Sequence, residues 1–189
     1  MKNIAIFASG SGTNAQKLIE YFSTSKTAKV KLLLSNKADA FVLERARKLS
    51  VPTLVFDRDD FYRNGKVLKV LRDNDIDFIV LAGFLWLVPG EIINHYRGRM
   101  VNIHPALLPA YGGKGMYGNK VHRAVIENGE KESGISIHYV NEHYDEGDII
   151  FQAPCEVKAD DSPESLAARV HELEHRYYPV VIEKLLRES

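Results

Sequence analysis

The sequence predicts an α/β protein with a doubly wound, mostly parallel sheet of the Rossmann type, completed by an antiparallel C-terminal hairpin and a long C-terminal helix. Three observations support this fold. Short apolar segments alternate with amphipathic helical segments over the first 100 residues, which is typical of parallel strands joined by helices. A glycine-rich segment follows the first strand. Beyond residue 109 the pattern changes to two strands on either side of a polar turn.

The first half contains five predicted strands and three predicted helices. The strands are the segments 3–8, 30–34, 53–56, 78–82 and 100–104. The first and fourth strands are apolar at consecutive positions, which indicates burial on both faces of the sheet. The helices are 15–22, 40–49 and 61–72, where apolar residues recur every three to four positions.

The second half begins with the glycine-rich segment 111–118, which carries four glycines in eight residues and is predicted to be a mobile loop. A helix near 120–127 follows, and strands 134–140 and 149–157 flank the polar turn 141–148. The last helix begins at Ser162-Pro163-Glu164 and runs to about residue 186. Serine can cap a helix, proline fits its first position and glutamate favours the positive end of its dipole. We expect residues 1–189 to form a single domain.

The composition excludes several classes of function. The 25 cationic and 25 anionic side chains give a formal net charge of zero, whereas nucleic-acid and membrane-surface domains carry a surplus of cations. Residues 1–100 hold 16 cationic and 10 anionic side chains, and residues 101–189 hold 9 and 15. The single cysteine, Cys155, excludes an intramolecular disulfide framework and favours a reducing compartment. We therefore expect a cytoplasmic protein that binds small molecules and neither nucleic acid nor a membrane.

Segment 9–14 (SGSGTN) joins a buried strand to a helix, so its backbone N–H groups could surround a phosphate at the helix N-terminus. Gly10, Gly12 and Ala15 also satisfy the dinucleotide pattern G-x-G-x-x-A, which leaves a nicotinamide enzyme as an alternative. The second strand weakens that alternative because it ends in Ser35-Asn36-Lys37, without an acidic residue to hold a ribose, although the lysine could suit a 2′-phosphate. A tight turn that binds nothing is the remaining interpretation.

Asn102 and His104 lie two residues apart at the carboxyl end of the fifth strand, so their side chains point to the same face. Ligands of open α/β sheets bind at that edge. An amide donor beside a protonated imidazole suits a carbonyl carbon on whose oxygen negative charge develops. One of the four acidic residues of turn 141–148 could raise the pKa of His104, but spacing does not select which one. A purely structural histidine is the alternative.

The segment His171-Glu172-Leu173-Glu174-His175 matches both H-E-x-x-H and H-x-x-E-H, the patterns of zinc peptidases. Such a site needs a third protein ligand, and only 14 residues follow His175. We therefore expect no metal. His171, Glu174 and His175 share one helix face, which leaves a ligand-facing role open.

Six segments together carry a resemblance to a known family. They are 9–14 (SGSGTN), 35–45 (SNKADAFVLER), 81–84 (LAGF), 102–109 (NIHPALLP), 145–147 (DEG) and 174–179 (EHRYYP). In this order they resemble the glycinamide ribonucleotide branch of the folate-dependent formyltransferases over nearly the whole chain. The resemblance implies that 10-formyltetrahydrofolate gives its formyl group to the amine of glycinamide ribonucleotide in purine biosynthesis, with no metal. A monomer or weak homodimer is expected.

The resemblance also assigns roles to matching positions. Catalysis is implied for Asn102, His104 and Asp145, with Asp145 keeping His104 protonated near neutral pH. The implied ribonucleotide-binding residues are Gly12, Thr13, Asn14, His171, Glu172, Leu173 and Glu174. The implied folate-binding residues are Arg58, Leu85, Trp86, Leu87, Val88, Asn102, Asn141, Glu142, His143, Tyr144 and Asp145.

Two features depart from the family pattern, and several alternatives stay open. The glycine-rich segment is longer than the compact family loop, and Trp86 stands where a basic or small residue is common. We expect the tryptophan to be tolerated, since only backbone is expected to contact the pterin there. A formyltetrahydrofolate deformylase would carry an extra N-terminal regulatory domain, and a methionyl-tRNA formyltransferase a further C-terminal domain and a basic surface. A non-catalytic nucleotide-binding Rossmann module would need neither Asn102 nor His104.

Overall fold

A computed structural model describes residues 1–188. It contains seven strands: β1 (Lys2–Phe7), β2 (Ala28–Ser35), β3 (Thr53–Val55), β4 (Phe78–Leu81), β5 (Met100–His104), β6 (Glu132–Tyr139) and β7 (Ile149–Glu156). They form one sheet in the order β3-β2-β1-β4-β5-β6-β7. The first five strands pair in parallel, and β6 is antiparallel to both β5 and β7. The predicted mostly parallel sheet with a C-terminal hairpin is therefore confirmed.

Helices cover both faces of this sheet. They are α1 (Thr13–Phe22), α2 (Phe41–Lys48), α3 (Arg58–Tyr62), α4 (Lys66–Asp73), α5 (Gly90–His95), α6 (Asn119–Glu127) and α7 (Pro163–Glu188). One buried cluster contains side chains of α1, α2, α6 and α7, and a second contains side chains of α3, α4 and α5. The doubly wound arrangement is thus confirmed. In the stretch 1–188, no helix is both long and apolar enough to cross a bilayer.

The connection between β3 and β5 differs from the prediction in two places. The helix predicted at 61–72 is wrong, because α3 ends at Tyr62 and α4 begins at Lys66. Gly65 adopts a left-handed conformation with φ 66° between them, and the Asn64 side chain accepts a hydrogen bond from the Lys66 backbone N–H at 3.0 Å. Helix α5 was not predicted from the sequence, since its six residues are too few to show a helical period.

The long helix α7 is fixed to the sheet close to the carboxyl end of β4. It begins where predicted, and the Ser162 hydroxyl accepts a hydrogen bond from the Ser165 backbone N–H at 3.1 Å. Tyr178 is completely buried and donates its hydroxyl hydrogen to the Leu81 carbonyl at 2.8 Å. Burial raises the pKa of Tyr178 well above its ordinary value, so the hydroxyl stays a donor. This hydrogen bond of Tyr178 holds Glu174, one turn earlier, at the same edge of the sheet.

Candidate active site

A cavity of about 680 Å³ opens at the carboxyl edge of the parallel strands. It brings together most of the residues that the sequence selected. Those lining it are Gly12, Thr13, Asn14, Leu85, Trp86, Leu87, Val88, Asn102, His104, Asn141, His143, Tyr144, Asp145, His171 and Glu174. Arg58, Glu142, Glu172 and Leu173 do not line it.

The glycine segment forms one end of the cavity. Gly12 has φ 77°, and a Cβ atom there would lie 2.2 Å from the Val42 Cγ2 atom, so only glycine fits. The Val42 backbone N–H donates to the Gly10 carbonyl at 3.1 Å, which binds the segment to α2. Helix α1 begins directly afterwards at Thr13. Its first backbone N–H groups face the cavity end and can bind an anion.

Glu174 joins α7 to α1 at this same end. Its side chain is 4% exposed, and its Oε2 atom accepts a hydrogen bond from Asn14 Nδ2 at 2.8 Å. The same oxygen lies 2.8 Å from His171 Nδ1, and this hydrogen bond raises the pKa of His171. In the zinc-like motif, His171 is thus hydrogen-bonded to Glu174, and the His171 and His175 rings are stacked with their centres 6.2 Å apart. No group of three possible metal ligands occurs among residues 1–188.

Asp145 and His104 meet at the other end of the cavity. His104 is 3% exposed, and its Nδ1 lies 3.5 Å from Asp145 Oδ2. Its Nε2 lies 2.7 Å from the Tyr111 carbonyl, which can only accept, so Nε2 carries a hydrogen. The Gly113 backbone N–H donates to Asp145 Oδ2 at 3.0 Å. The glycine-rich segment therefore contacts both members of the pair.

The structure contradicts the charge state predicted for His104. Burial lowers the pKa of His104, and this outweighs the opposite effects of the Asp145 charge and the Tyr111 carbonyl. The Asp145 charge acts to raise the pKa of His104, as expected, but the expectation that His104 stays protonated near neutral pH is wrong, because burial brings the pKa below its ordinary value. Burial acts to raise the pKa of Asp145, but the His138 hydrogen bond and the His104 charge lower it overall. Asp145 is therefore a carboxylate at neutral pH.

Two histidines in the cavity wall were missed by sequence reasoning. His138 faces Asn102 across the β5–β6 pair, and only knowledge of that register would have identified it. His122 on α6 is 1% exposed, and its Nδ1 has no hydrogen-bond partner within the described chain. Burial lowers the pKa of His122 to about 4, so the ring is neutral at pH 7. A neutral imidazole presents one donor and one acceptor to a ligand.

An aromatic cluster forms the wall beside 85–88. The Trp86 ring packs against Phe56, Phe61, Tyr62 and Phe84. The Arg58 guanidinium carbon lies 4.8 Å from the centre of the Trp86 ring, outside the cavity. Arg58 therefore packs on Trp86, which lines the cavity, and does not line the cavity itself. Glu142 is exposed and pairs with Arg97 at 3.2 Å.

Comparison with known proteins places this geometry in context. Residues 2–182 match the family model described as formyl transferase. The chain is 45% identical to the chloroplastic phosphoribosylglycinamide formyltransferase of Arabidopsis thaliana, over 99% of this chain and 66% of that protein. It is 40% identical to phosphoribosylglycinamide formyltransferase of Escherichia coli, over 95% of this chain and 85% of that protein. It spans 66% and 62% of the two plant relatives.

Solved structures that superpose on this fold carry the same enzyme names as these relatives. Glycinamide ribonucleotide transformylase 1 from Symbiobacterium toebii superposes with a TM-score of 0.91 at 34% identity, covering 100% of this chain and 89% of that chain. Phosphoribosylglycinamide formyltransferase from Bacillus halodurans has a TM-score of 0.88 at 38% identity, covering 98% of this chain and 95% of that one.

Proposed function

The chain belongs to the formyl transferase family, and on that premise we propose that it transfers the formyl group of 10-formyltetrahydrofolate to the amine of glycinamide ribonucleotide. The products are formylglycinamide ribonucleotide and tetrahydrofolate, and the reaction belongs to purine biosynthesis. One observation carries this proposal. A single cavity has an anion-binding helix terminus and a buried carboxylate at one end and the Asn102, His104 and Asp145 group at the other. A formyltetrahydrofolate deformylase would not need the first end.

The ribonucleotide end supplies two kinds of contact. The backbone N–H groups of Gly12, Thr13 and Asn14 bind the phosphate where the positive end of the α1 dipole favours it. Glu174 accepts hydrogen bonds from ribose hydroxyls through Oε1, because Oε2 is already bonded to Asn14 and His171. These short internal bonds fix the carboxylate before the substrate binds, which lowers the cost of ordering it.

The other half of the cavity fits a flat heteroaromatic donor. Residues 85–88 provide an apolar part of the wall, and Asn141, His143, Tyr144 and Asp145 line the same cavity. The Leu85 backbone N–H donates to Ser9 Oγ at 3.1 Å, and the Leu87 carbonyl accepts from the Tyr62 hydroxyl at 2.8 Å. These hydrogen bonds hold segment 85–88, which follows β4, in one conformation for backbone contacts to the pterin. The folate supplies a formyl group on nitrogen, already activated for transfer.

In the transfer, His104 stabilises the negative charge on the formyl oxygen, and Asp145 accepts the proton of the amine. The Nε2–H of His104 donates to the formyl oxygen, on which negative charge develops as the amine attacks. This oxygen takes the position held by the Tyr111 carbonyl in this structure, so segment 111–118 shifts when the substrates bind. Asp145, whose Oδ2 lies 3.5 Å from His104 Nδ1, accepts the proton that the amine releases, which then passes to the leaving nitrogen.

The remaining expectations belong to the same proposal. We assign the reaction no metal, because within residues 1–188 no third histidine, cysteine, aspartate or glutamate joins His171 and Glu174 to complete a metal site. The partners are small molecules, with neither nucleic acid nor membrane, and the chain acts as a single domain, a monomer or weak homodimer. The single cysteine favours the cytoplasm.

A direct assay tests this function. The chain is mixed with glycinamide ribonucleotide and 10-formyltetrahydrofolate, and tetrahydrofolate formation is followed with and without the amine. We expect turnover that requires both substrates and is unchanged by a chelator. No turnover with the amine would contradict the transferase. Equal turnover without it, with release of formate, would assign the chain to the deformylases.

A further inference from the structure

Buried polar atoms without hydrogen-bond partners are concentrated around Glu174. Within residues 1–188, four enclosed side-chain atoms have no partner, and three of them are Asn14 Oδ1, His122 Nδ1 and His175 Nε2. Asn14 hydrogen-bonds Glu174. Burial lowers the pKa of both histidines and the charge of Glu174 opposes it, so both rings lie near that carboxylate. Because each unpartnered buried atom costs free energy, such a group indicates a place where a ligand binds.

His122 is the member of this group that lines the cavity and has no role in the proposed mechanism. It lies in the first turn of α6, and Gly118 and Asn119 at the start of that helix line the cavity as well. The side chain is 1% exposed. Its Nδ1 is enclosed, and no residue of 1–188 hydrogen-bonds either ring nitrogen. Since Nε2 is not among the enclosed atoms, it is the nitrogen open to a ligand.

The groups that act on His122 place it between the carboxylate and the catalytic histidine. After burial, which lowers its pKa to about 4, the charges of His171, Glu174 and His104 have the largest effects on the ring. In glycinamide ribonucleotide, the group between the ribose and the amine is an amide with one N–H and one carbonyl. A neutral imidazole offers one hydrogen-bond donor and one acceptor, so it can pair with either atom of that amide.

On the premise of the proposed formyl transfer, we propose that His122 is a substrate-binding residue whose Nε2 hydrogen-bonds the amide between the ribose and the amine. This contact fixes the substrate between the ribose, bound at Glu174, and the amine, which reacts beside His104. Orientation of this kind contributes to the rate through proximity. The fold gains nothing from the polarity of the ring, because no residue of 1–188 hydrogen-bonds it. An apolar side chain of similar size would therefore suit the free protein at least as well.

Two variants separate ligand binding from a structural role. His122→Leu removes both unpartnered nitrogens at similar size, so we expect a melting temperature equal to or above that of wild type. Calorimetric affinity for the ribonucleotide should fall by roughly 5- to 50-fold, because the buried amide loses its partner. His122→Gln keeps a donor and an acceptor and should stay within about fivefold of the wild-type affinity. A structural role predicts the reverse for His122→Leu, namely a lower melting temperature with unchanged affinity.

Ribose 5-phosphate supplies the second arm, because it carries the phosphate and the ribose but no amide. We expect it to bind the His122→Leu variant as tightly as it binds wild type, so that the loss is confined to the ribonucleotide. Equal weakening of both ligands would overturn the amide contact. Wild-type turnover keeps the two levels apart. A wild type that binds the ribonucleotide without forming tetrahydrofolate contradicts formyl transfer itself, whereas an active wild type with a His122→Leu variant of unchanged affinity contradicts only the role of His122.

Discussion

The two ends of the cavity are built differently. At the end that we propose binds the ribonucleotide, Glu174 is held by two hydrogen bonds of 2.8 Å, one from Asn14 of α1 and one with His171 of its own helix α7. At the catalytic end, Asp145 meets His104, His138 and Asn102 at 3.4 to 3.6 Å. Backbone groups of the glycine-rich segment complete that second group. Under the proposed function, the substrate anchor Glu174 is organised before the substrate binds, and we expect the longer contacts of Asp145 to shorten in the reacting complex.

Removing the His104 imidazole, to which we assign a role in catalysis, should have the largest effect. For His104→Ala, we expect a fall in kcat of roughly 10³-fold or more, because the donor to the developing oxyanion is lost. Calorimetric binding of the ribonucleotide should change little, since His104 is not among the residues that we propose bind its phosphate and ribose. His95→Ala, an exposed histidine on α5, is the control. Near-normal activity of His104→Ala would refute the assigned role.

Neutralising the anchor should act on binding instead. Glu174→Gln removes a charged acceptor, and we expect the KM for the ribonucleotide to rise by roughly 10- to 100-fold while kcat falls much less. Glu172→Gln, two residues away, exposed and outside the cavity lining, should behave as wild type. Steady-state kinetics at saturating folate measure both. A loss confined to kcat would place Glu174 in the chemistry and erase the contrast between the ends.

Two glycines of segment 9–14 provide a matched pair of variants that tests the phosphate-binding part of the cavity. Gly12→Ala forces a Cβ atom onto Val42 at positive φ, and we expect a loss of stability of about 2–4 kcal/mol and weaker phosphate binding. Gly10→Ala meets nothing within 4 Å and should cost much less. Urea unfolding of the two variants gives the comparison. Equal losses would show that the contact of Gly12 with α2 is not what requires glycine there.

The smallest expected effect is a pH dependence of stability at the anchor. Glu174 raises the pKa of His171 above its ordinary 6.5. The folded state therefore binds a proton more tightly than the unfolded chain, and this contribution is complete below pH 6.5 and lost as the pH rises through the higher folded pKa. Relative to wild type, His171→Gln should flatten the fall in melting temperature between about pH 6 and pH 8. An unchanged slope would show that the pair does not titrate as described.

The sequence predicts most of the fold, and it predicts the anchor better than the catalytic end. Strand and helix periods identify every strand of the sheet, and the family resemblance selects Asn14 and Glu174. The break at Gly65 was missed because 61–72 has a helical period that ignores the turn. His122 and His138 were missed because their place in the cavity depends on packing and strand register between distant segments.

The protonation of His104 illustrates a different gap. A carboxylate beside a histidine predicts a raised pKa, and the neighbour is indeed Asp145. Burial acts in the opposite direction and dominates here, and the depth of burial is set by the whole fold rather than by local sequence. The family resemblance therefore selects the two residues that meet here, His104 and Asp145, whereas the charge state of His104 depends on the fold.

The fate of the formyl group tests the central claim most directly. In a single turnover, isotope-labelled formyl is supplied on 10-formyltetrahydrofolate with the enzyme in excess, and the products are separated in time. We expect the label to appear on the ribonucleotide amine at the rate at which tetrahydrofolate forms. Label recovered as formate, or retained on the folate in the presence of the amine, would contradict formyl transfer by this chain.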